Sequence, residues 1–175
     1  MKKILLILLV LANLISCKTS SENEGKYTRE RTEIQHKNVQ FPEYRGFVND
    51  FNNIFTHDQI QDLEILLHEY EKQTSNEIAV VTINSIEPYD QIQWYTTDLA
   101  NYWGIGSKGR GNGLLILLDN NKKKIWISTG KKTEKILTDK IVKQIIDSII
   151  IPEFKKDKYY DGIVKGVEEI KVKWN

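Results

Sequence analysis

Asn101-Tyr102-Trp103-Gly104-Ile105-Gly106-Ser107-Lys108-Gly109-Arg110-Gly111-Asn112-Gly113 runs straight into Leu114-Leu115-Ile116-Leu117-Leu118. Five glycines among thirteen residues make a loop that can take positive φ and lie close against other backbone. The residues before it are spaced as a helix, and the apolar run after it reads as a strand buried on both faces. Loops of this kind on a rigid scaffold carry function, so Gly104, Gly106, Gly109 and Gly113 mark the candidate binding face. The spacing Gly104-x-Gly106-x-x-Gly109 matches a dinucleotide fingerprint only in its letters. That fingerprint follows a strand and opens a helix, and here the order is reversed. No Gly-Lys-Ser/Thr closes the loop as a phosphate-gripping loop requires, so no nucleotide is expected.

Upstream of the loop, Pro88 stands near the start of a helix from about Tyr89 to Trp103, with Ile92, Tyr95, Leu99 and Trp103 inward and Trp94 flanking them. Before it, Glu77 to Ile83 reads as a strand around the continuous apolar core Ile78-Ala79-Val80-Val81. An earlier helix starts at Thr56, with Gln59 completing a capping box, and runs to about Gln73 on the stripe Ile60, Leu63, Leu67 and Tyr70. His57 and His68, eleven residues apart, lie roughly 16 Å apart along this helix, too far to share a metal. Val48 to Phe51 is an edge strand or an extended lead-in.

Downstream, Asp119-Asn120-Asn121-Lys122 is a turn, and Lys124 to Ser128 returns with Ile125 and Ile127 alternating. Lys122-Lys123-Lys124 reads as a solvated turn. Gly130 to Lys135 is a second polar loop. A third helix starts at Thr138 or Asp139 and ends before Pro152, and a last one covers about Asp157 to Val172 with Ile163, Val167 and Ile170 inward. Strands and helices in this order, with short connections, predict a three-layer α/β/α sandwich around a small mixed sheet.

At 175 residues the chain is one domain plus attachments. Lys2 and Lys3 precede the apolar run Ile4 to Ile15, which is too short to span a bilayer and has the layout of a secretory signal. Leu14-Ile15-Ser16-Cys17 resembles the lipobox of bacterial lipoproteins, in which cleavage precedes an acylated cysteine. The plain alternative is an ordinary signal peptide with a chance cysteine. The expected organisation is therefore a signal over residues 1–16, a lipidated Cys17 opening a polar tether over 17–40, and a folded domain over 41–175. Cys17 is the sole cysteine, so no disulfide framework and no catalytic thiol are expected. Loss of Lys2 and Lys3 leaves 23 basic against 24 acidic side chains, which argues against non-specific nucleic-acid binding.

Several stretches together resemble the TPM domain family: Val48-Asn49-Asp50-Phe51, Tyr102-Trp103-Gly104-Ile105-Gly106, Gly109 to Ile116, Gly130 to Asp139, Ile151-Pro152-Glu153-Phe154 and Tyr159-Tyr160-Asp161-Gly162. The resemblance covers about Phe47 to Val172 and implies an α/β/α sandwich. It also implies a role that is unsettled. Plant thylakoid relatives are linked to photosystem II repair and carry an acid phosphatase label, bacterial relatives are mostly exported or membrane-attached, and some members bind calcium or related ions. The family pattern has Asp-Asn-Gly where this chain has Gly111-Asn112-Gly113, and Gly-x-Gly-x-Glu where it has Gly130-Lys131-Lys132-Thr133-Glu134. One acidic position and one glycine are thus absent.

Calcium takes six to eight oxygen ligands, usually several of them carboxylates. Asp50, Asn112, Glu134 and Asp139 would supply a site if the fold brings their loops together, weakened by Gly111. The alternatives are that Asp139 caps a helix, Asp50 closes a turn and Glu134 is solvated. No activated nucleophile, Asp-x-Asp signature or Ser/His pairing appears, so no catalytic residue is assigned. The leading expectation is a lipid-anchored, non-catalytic envelope module beside membrane proteins, on the outer membrane. The alternative is a metal-dependent acid phosphatase.

Overall fold

A computed structural model describes residues 39–106 and 110–175. The expectations for residues 1–38, including the signal, Cys17 and most of the tether, and for Gly109 lie outside the described residues. Strand β1 (Val48–Asp50) is followed by helix α1 (His57–Thr74), β2 (Glu77–Ile83), α2 (Ile92–Trp103), and the hairpin β3 (Gly113–Asp119) and β4 (Lys124–Thr129). A 3₁₀ turn (Thr133–Lys135) leads to α3 (Asp139–Ile145), which continues through a π-helical segment (Ile146–Ile150) into one more α-turn (Ile151–Phe154), and α4 (Tyr159–Lys173) closes the chain.

The sheet has the order β1-β2-β3-β4, with β1, β2 and β3 parallel and β4 antiparallel to β3. The central strands are continuously apolar over residues 78–81 and 114–118 because helices cover both their faces. Val48, Ile78, Val80, Leu114, Ile116 and Ile127 face a core completed by α1, α3 and α4. Ala79, Val81, Ile83, Leu115 and Leu117 face α2 and the aromatic cluster of Phe41, Tyr89 and Tyr95. Each fully buried Leu or Ile among them contributes about 1.5–3 kcal/mol relative to exposure. The expected α/β/α sandwich around a mixed sheet is the observed architecture.

Local chemistry sets the helix boundaries. The Thr56 hydroxyl accepts from Gln59 N–H at 3.2 Å and Gln59 Oε1 accepts from Thr56 N–H at 2.9 Å, so the capping box forms as its spacing predicts. Three boundaries differ from expectation. Helix α2 begins at Ile92 because Ile86 to Tyr89 forms a turn, with Tyr89 N–H donating to Ile86 O. The third helix does not stop before Pro152. The π segment resets the register, so Pro152 falls in the first turn of the following α-helical piece, where a missing N–H has no partner to lose. Helix α4 begins at Tyr159 because Asp157, at φ 58°, ends the preceding turn in the left-handed region. Trp94, expected to flank the core, is exposed, while Trp103 is half-buried with its indole N–H on Pro42 O at 2.7 Å.

Candidate functional site

At the end of the sheet where β2 and β3 begin, the glycine loop folds back on the strands. Gly104 ends α2 in the left-handed region at φ 75°. Gly106, at φ 89°, lies so close to β3 that a Cβ there would stand 2.2 Å from Gly113 N. Glu77 holds this approach from β2: Oε2 accepts the Gly106 N–H at 2.7 Å and Oε1 accepts the Tyr44 hydroxyl at 3.3 Å. Burial, followed by the Glu77 carboxylate, raises the Tyr44 phenol above its ordinary value.

Asn112 O accepts the Glu77 N–H at 3.0 Å, and the Asn112 amide donates to Ser75 O while its own Oδ1 is buried without a partner. Gly111 O accepts from Lys132 N–H at 2.9 Å and Thr133 N–H at 3.2 Å, which laces the glycine loop to the second polar loop. Glu134 sits in that loop, exposed, with its N–H on Gly130 O at 2.9 Å. A slot of about 60 Å³ lies beneath, between Asn101, Ile105, Gly113 and Gly130, room for about two waters.

The four residues expected to hold calcium do not share this place. Asp50 stands at the opposite end of the sheet. It is in register with Thr82, whereas Gly113, next to Asn112, is in register with Glu77. Five residues of strand separate those levels, about 17 Å at the strand rise of ~3.3 Å per residue. Both Asp50 oxygens have structural partners, the Thr82 hydroxyl and the Phe55 N–H at 2.9 Å, so Asp50 closes the turn into α1. Asp139 is the first residue of α3, after the N-cap Thr138, and lies beside β4 rather than on the glycine loop. Asn112 and Glu134 are left together with Gly104, Gly106 and Gly113. Among the described residues, no three His, Cys, Asp or Glu side chains gather closely enough to hold a metal ion.

A second feature lies along β4, where an apolar groove of about 480 Å³ follows the outer side of the strand. One wall holds Ile92 of α2 beside Trp126, and the other holds Ile125, Val142, Ile146 and Ile151. Trp126 is 39% exposed. Its position was legible only as an alternate residue of a strand, because the groove is made by helices remote in sequence. Glu77 was also missed, since nothing marks it apart from other acids at a strand start. Lys123, Lys124 and Lys143 edge the groove together with Asp139 and Asp147, the last paired with Lys143, so the run read as a solvated turn also borders this surface.

Residues 48–173 match the model of the TPM domain. Among solved structures, the chain is similar to the N-terminal domain of a protein from P. gingivalis, at 28% identity and a TM-score of 0.66, over 72% of this chain and 80% of that one. A protein of the psychrophilic bacterium Bizionia argentinensis aligns at 19% identity and 0.61 over 71% and 88% of the two chains. The N-terminal domain of a Corynebacterium glutamicum protein aligns at 16% and 0.59 over 79% and 86%. These two likenesses are of fold. No curated protein matches the chain. With the matched stretch spanning the whole sheet and all four long helical regions, the chain belongs to the TPM domain family.

Proposed function

We propose that this TPM domain is a lipid-anchored, non-catalytic recognition module of the bacterial cell envelope. Cys17 anchors it to the outer membrane, and the folded domain binds a polypeptide partner beside that membrane. The observation that carries the reading is the groove along β4: about 480 Å³, apolar on both walls and containing a half-exposed tryptophan. Exposed aromatic and aliphatic side chains framed by charge are the usual anatomy of a protein-binding surface. The glycine-loop end serves as scaffold, since Glu77, Asn112 and Gly111 use their polar atoms to bind the loop to the sheet. The proposal calls on no metal ion.

The test has two parts. Labelled palmitate should enter the wild-type chain and its membrane fraction, and Cys17→Ala should lose both the label and the membrane association. Hydrolysis of a chromogenic phosphate ester, with and without calcium, should stay at background. Calcium-dependent turnover that disappears in Glu134→Gln would replace this reading with the phosphatase.

A further inference from the structure

We infer that the groove receives an extended polypeptide segment with an apolar centre and acidic ends, added to β4 as a fifth strand. The inference rests on the recognition reading above and names the class of partner.

The two edges of the sheet are treated differently. On the outer side of β1, Glu64 of α1 caps the backbone, accepting from Phe47 N–H at 3.2 Å and Val48 N–H at 2.8 Å. That edge is also only three residues long. Both are known ways of blunting a strand edge. Strand β4 spans six residues and has no strand on its outer side among the described residues. Gly130 N–H donates to Gly113 O at 2.9 Å, which sets the phase of the antiparallel ladder. By its period of two, Lys124, Trp126 and Ser128 turn their backbone groups toward β3, and Ile125, Ile127 and Thr129 turn theirs outward. These three outward residues form the template on which a strand can add.

The groove has the form such a strand needs. Its lining comes from both faces of the sheet, Ile92 and Trp126 on one and Val142, Ile146 and Ile151 on the other. The two helical layers therefore continue past β4 and bracket the next strand position. Alternate side chains of an added strand would meet apolar walls on either face.

Charge decides among occupants. Lys122 and Lys123 lead into β4, Lys124 opens it, and Lys131 and Lys132 follow it. Asp139 and Asp147 stand within the groove, Asp147 paired with Lys143, so the unbalanced positive charge lies at the two ends of the strand. Residues 51–100 hold one lysine and nine acids, so the basic character belongs to this side of the chain. Pairing β4 with β4 of a second copy would set lysine against lysine at both ends of the ladder. A segment with acidic residues flanking about six strand residues meets opposite charge at both ends, which favours encounter and fixes register.

The experiment is a titration of the isotope-labelled purified protein, at low salt, with a synthetic peptide having a Val-Thr-Val-Thr-Val centre and two glutamates at each end. Saturable amide shifts centred on Ile125, Ile127 and Thr129 are expected, with deuterium exchange of those three amides slowed at least tenfold. Replacing Lys124 and Lys132 together by glutamate, both exposed, should weaken the peptide at least tenfold with an unchanged circular dichroism spectrum. Absence of shifts at millimolar peptide would overturn the inference. So would equal binding of a peptide with prolines in place of its threonines, which cannot complete a ladder. Dimerisation of the protein protecting the same amides, or binding to phosphatidylglycerol vesicles in place of peptide, would overturn it too. Peptide shifts confined to Ile92, Val142 and Ile151, without protection on β4, would reject strand addition and leave the recognition module standing. Phosphate-ester turnover lost in Glu134→Gln would reject the module and leave the strand result intact.

Discussion

Gly104 and Gly106 stand two residues apart in one loop, both at positive φ, yet they answer to different constraints. A Cβ at Gly104 meets nothing within 4 Å, while at Gly106 it falls 2.2 Å from Gly113 N and 2.5 Å from Gly113 Cα. Gly104→Ala should therefore cost only the left-handed backbone penalty, about 1–2 kcal/mol. Gly106→Ala must add to this a backbone displacement and the strain on the Glu77 hydrogen bond. It should cost at least about 3 kcal/mol, or prevent folding, as read by urea denaturation. Equal costs at the two positions would contradict the packing of the loop on β3. The motif's letters treat these glycines alike, and only the approach of β3 separates them.

The elements show which local signals suffice. Helix α1 carries its own start, so Thr56→Ala should remove the hydroxyl half of the capping box, leaving the backbone N–H of position 56 on Gln59, and lower stability by about 1 kcal/mol in the same assay, whatever packs against it. The third helix is the opposite case. Pro152 is a stop signal by its chemistry, and the chain passes it because the π segment before it changes the hydrogen-bond register. That choice is enforced by packing: Ile145, Ile146 and Ile150 are all buried, and a Cβ on Gly166 of α4 would come 2.7 Å from the Ile150 side chain. Close contact between these helices holds the isoleucines in one register, and no window of local sequence contains both partners.

For the whole molecule, pH exposes what folding has withdrawn from water. Burial raises the Tyr95 hydroxyl to about 12, and burial with an Asp98 hydrogen bond raises Tyr89 further. A folded phenol with a raised value stays protonated after the unfolded one ionises. Its contribution is thus complete below pH 10.0 and is lost as pH climbs toward 12. At the acid end, the Lys165 hydrogen bond lowers the Glu153 carboxyl below 4.5, opposed by some desolvation, and Lys156 adds to the lowering. That contribution is present above 4.5 and fades as the pH falls through the depressed value. Chemical denaturation across pH should show stability falling above about pH 10. Tyr95→Phe should make the alkaline limb shallower, with Tyr44 and Tyr89 carrying the rest, and Glu153→Gln should do the same to the acid limb. Unchanged limbs in both variants would show that neither group differs in ionisation between the folded and unfolded chain.

The apolar runs Ile78 to Val81 and Leu114 to Leu118, the capping box at Thr56 and the glycines at 104–113 determined the two central strands, the start of α1, the loop between α2 and β3 and the layered class by themselves. Their information is local: period, propensity and turn chemistry act over a few residues. Tertiary structure alone decided which residues meet. Parallel pairing placed Asp50 and Asn112 at opposite ends of one sheet, although one closes a strand, the other adjoins one, and both read alike in the chain. The same pairing gave Glu64 to the β1 edge and left β4 bordered by an apolar groove with lysines at its margins. Convergence of side chains depends on register and on long-range packing, and neither is written in the spacing of any one segment.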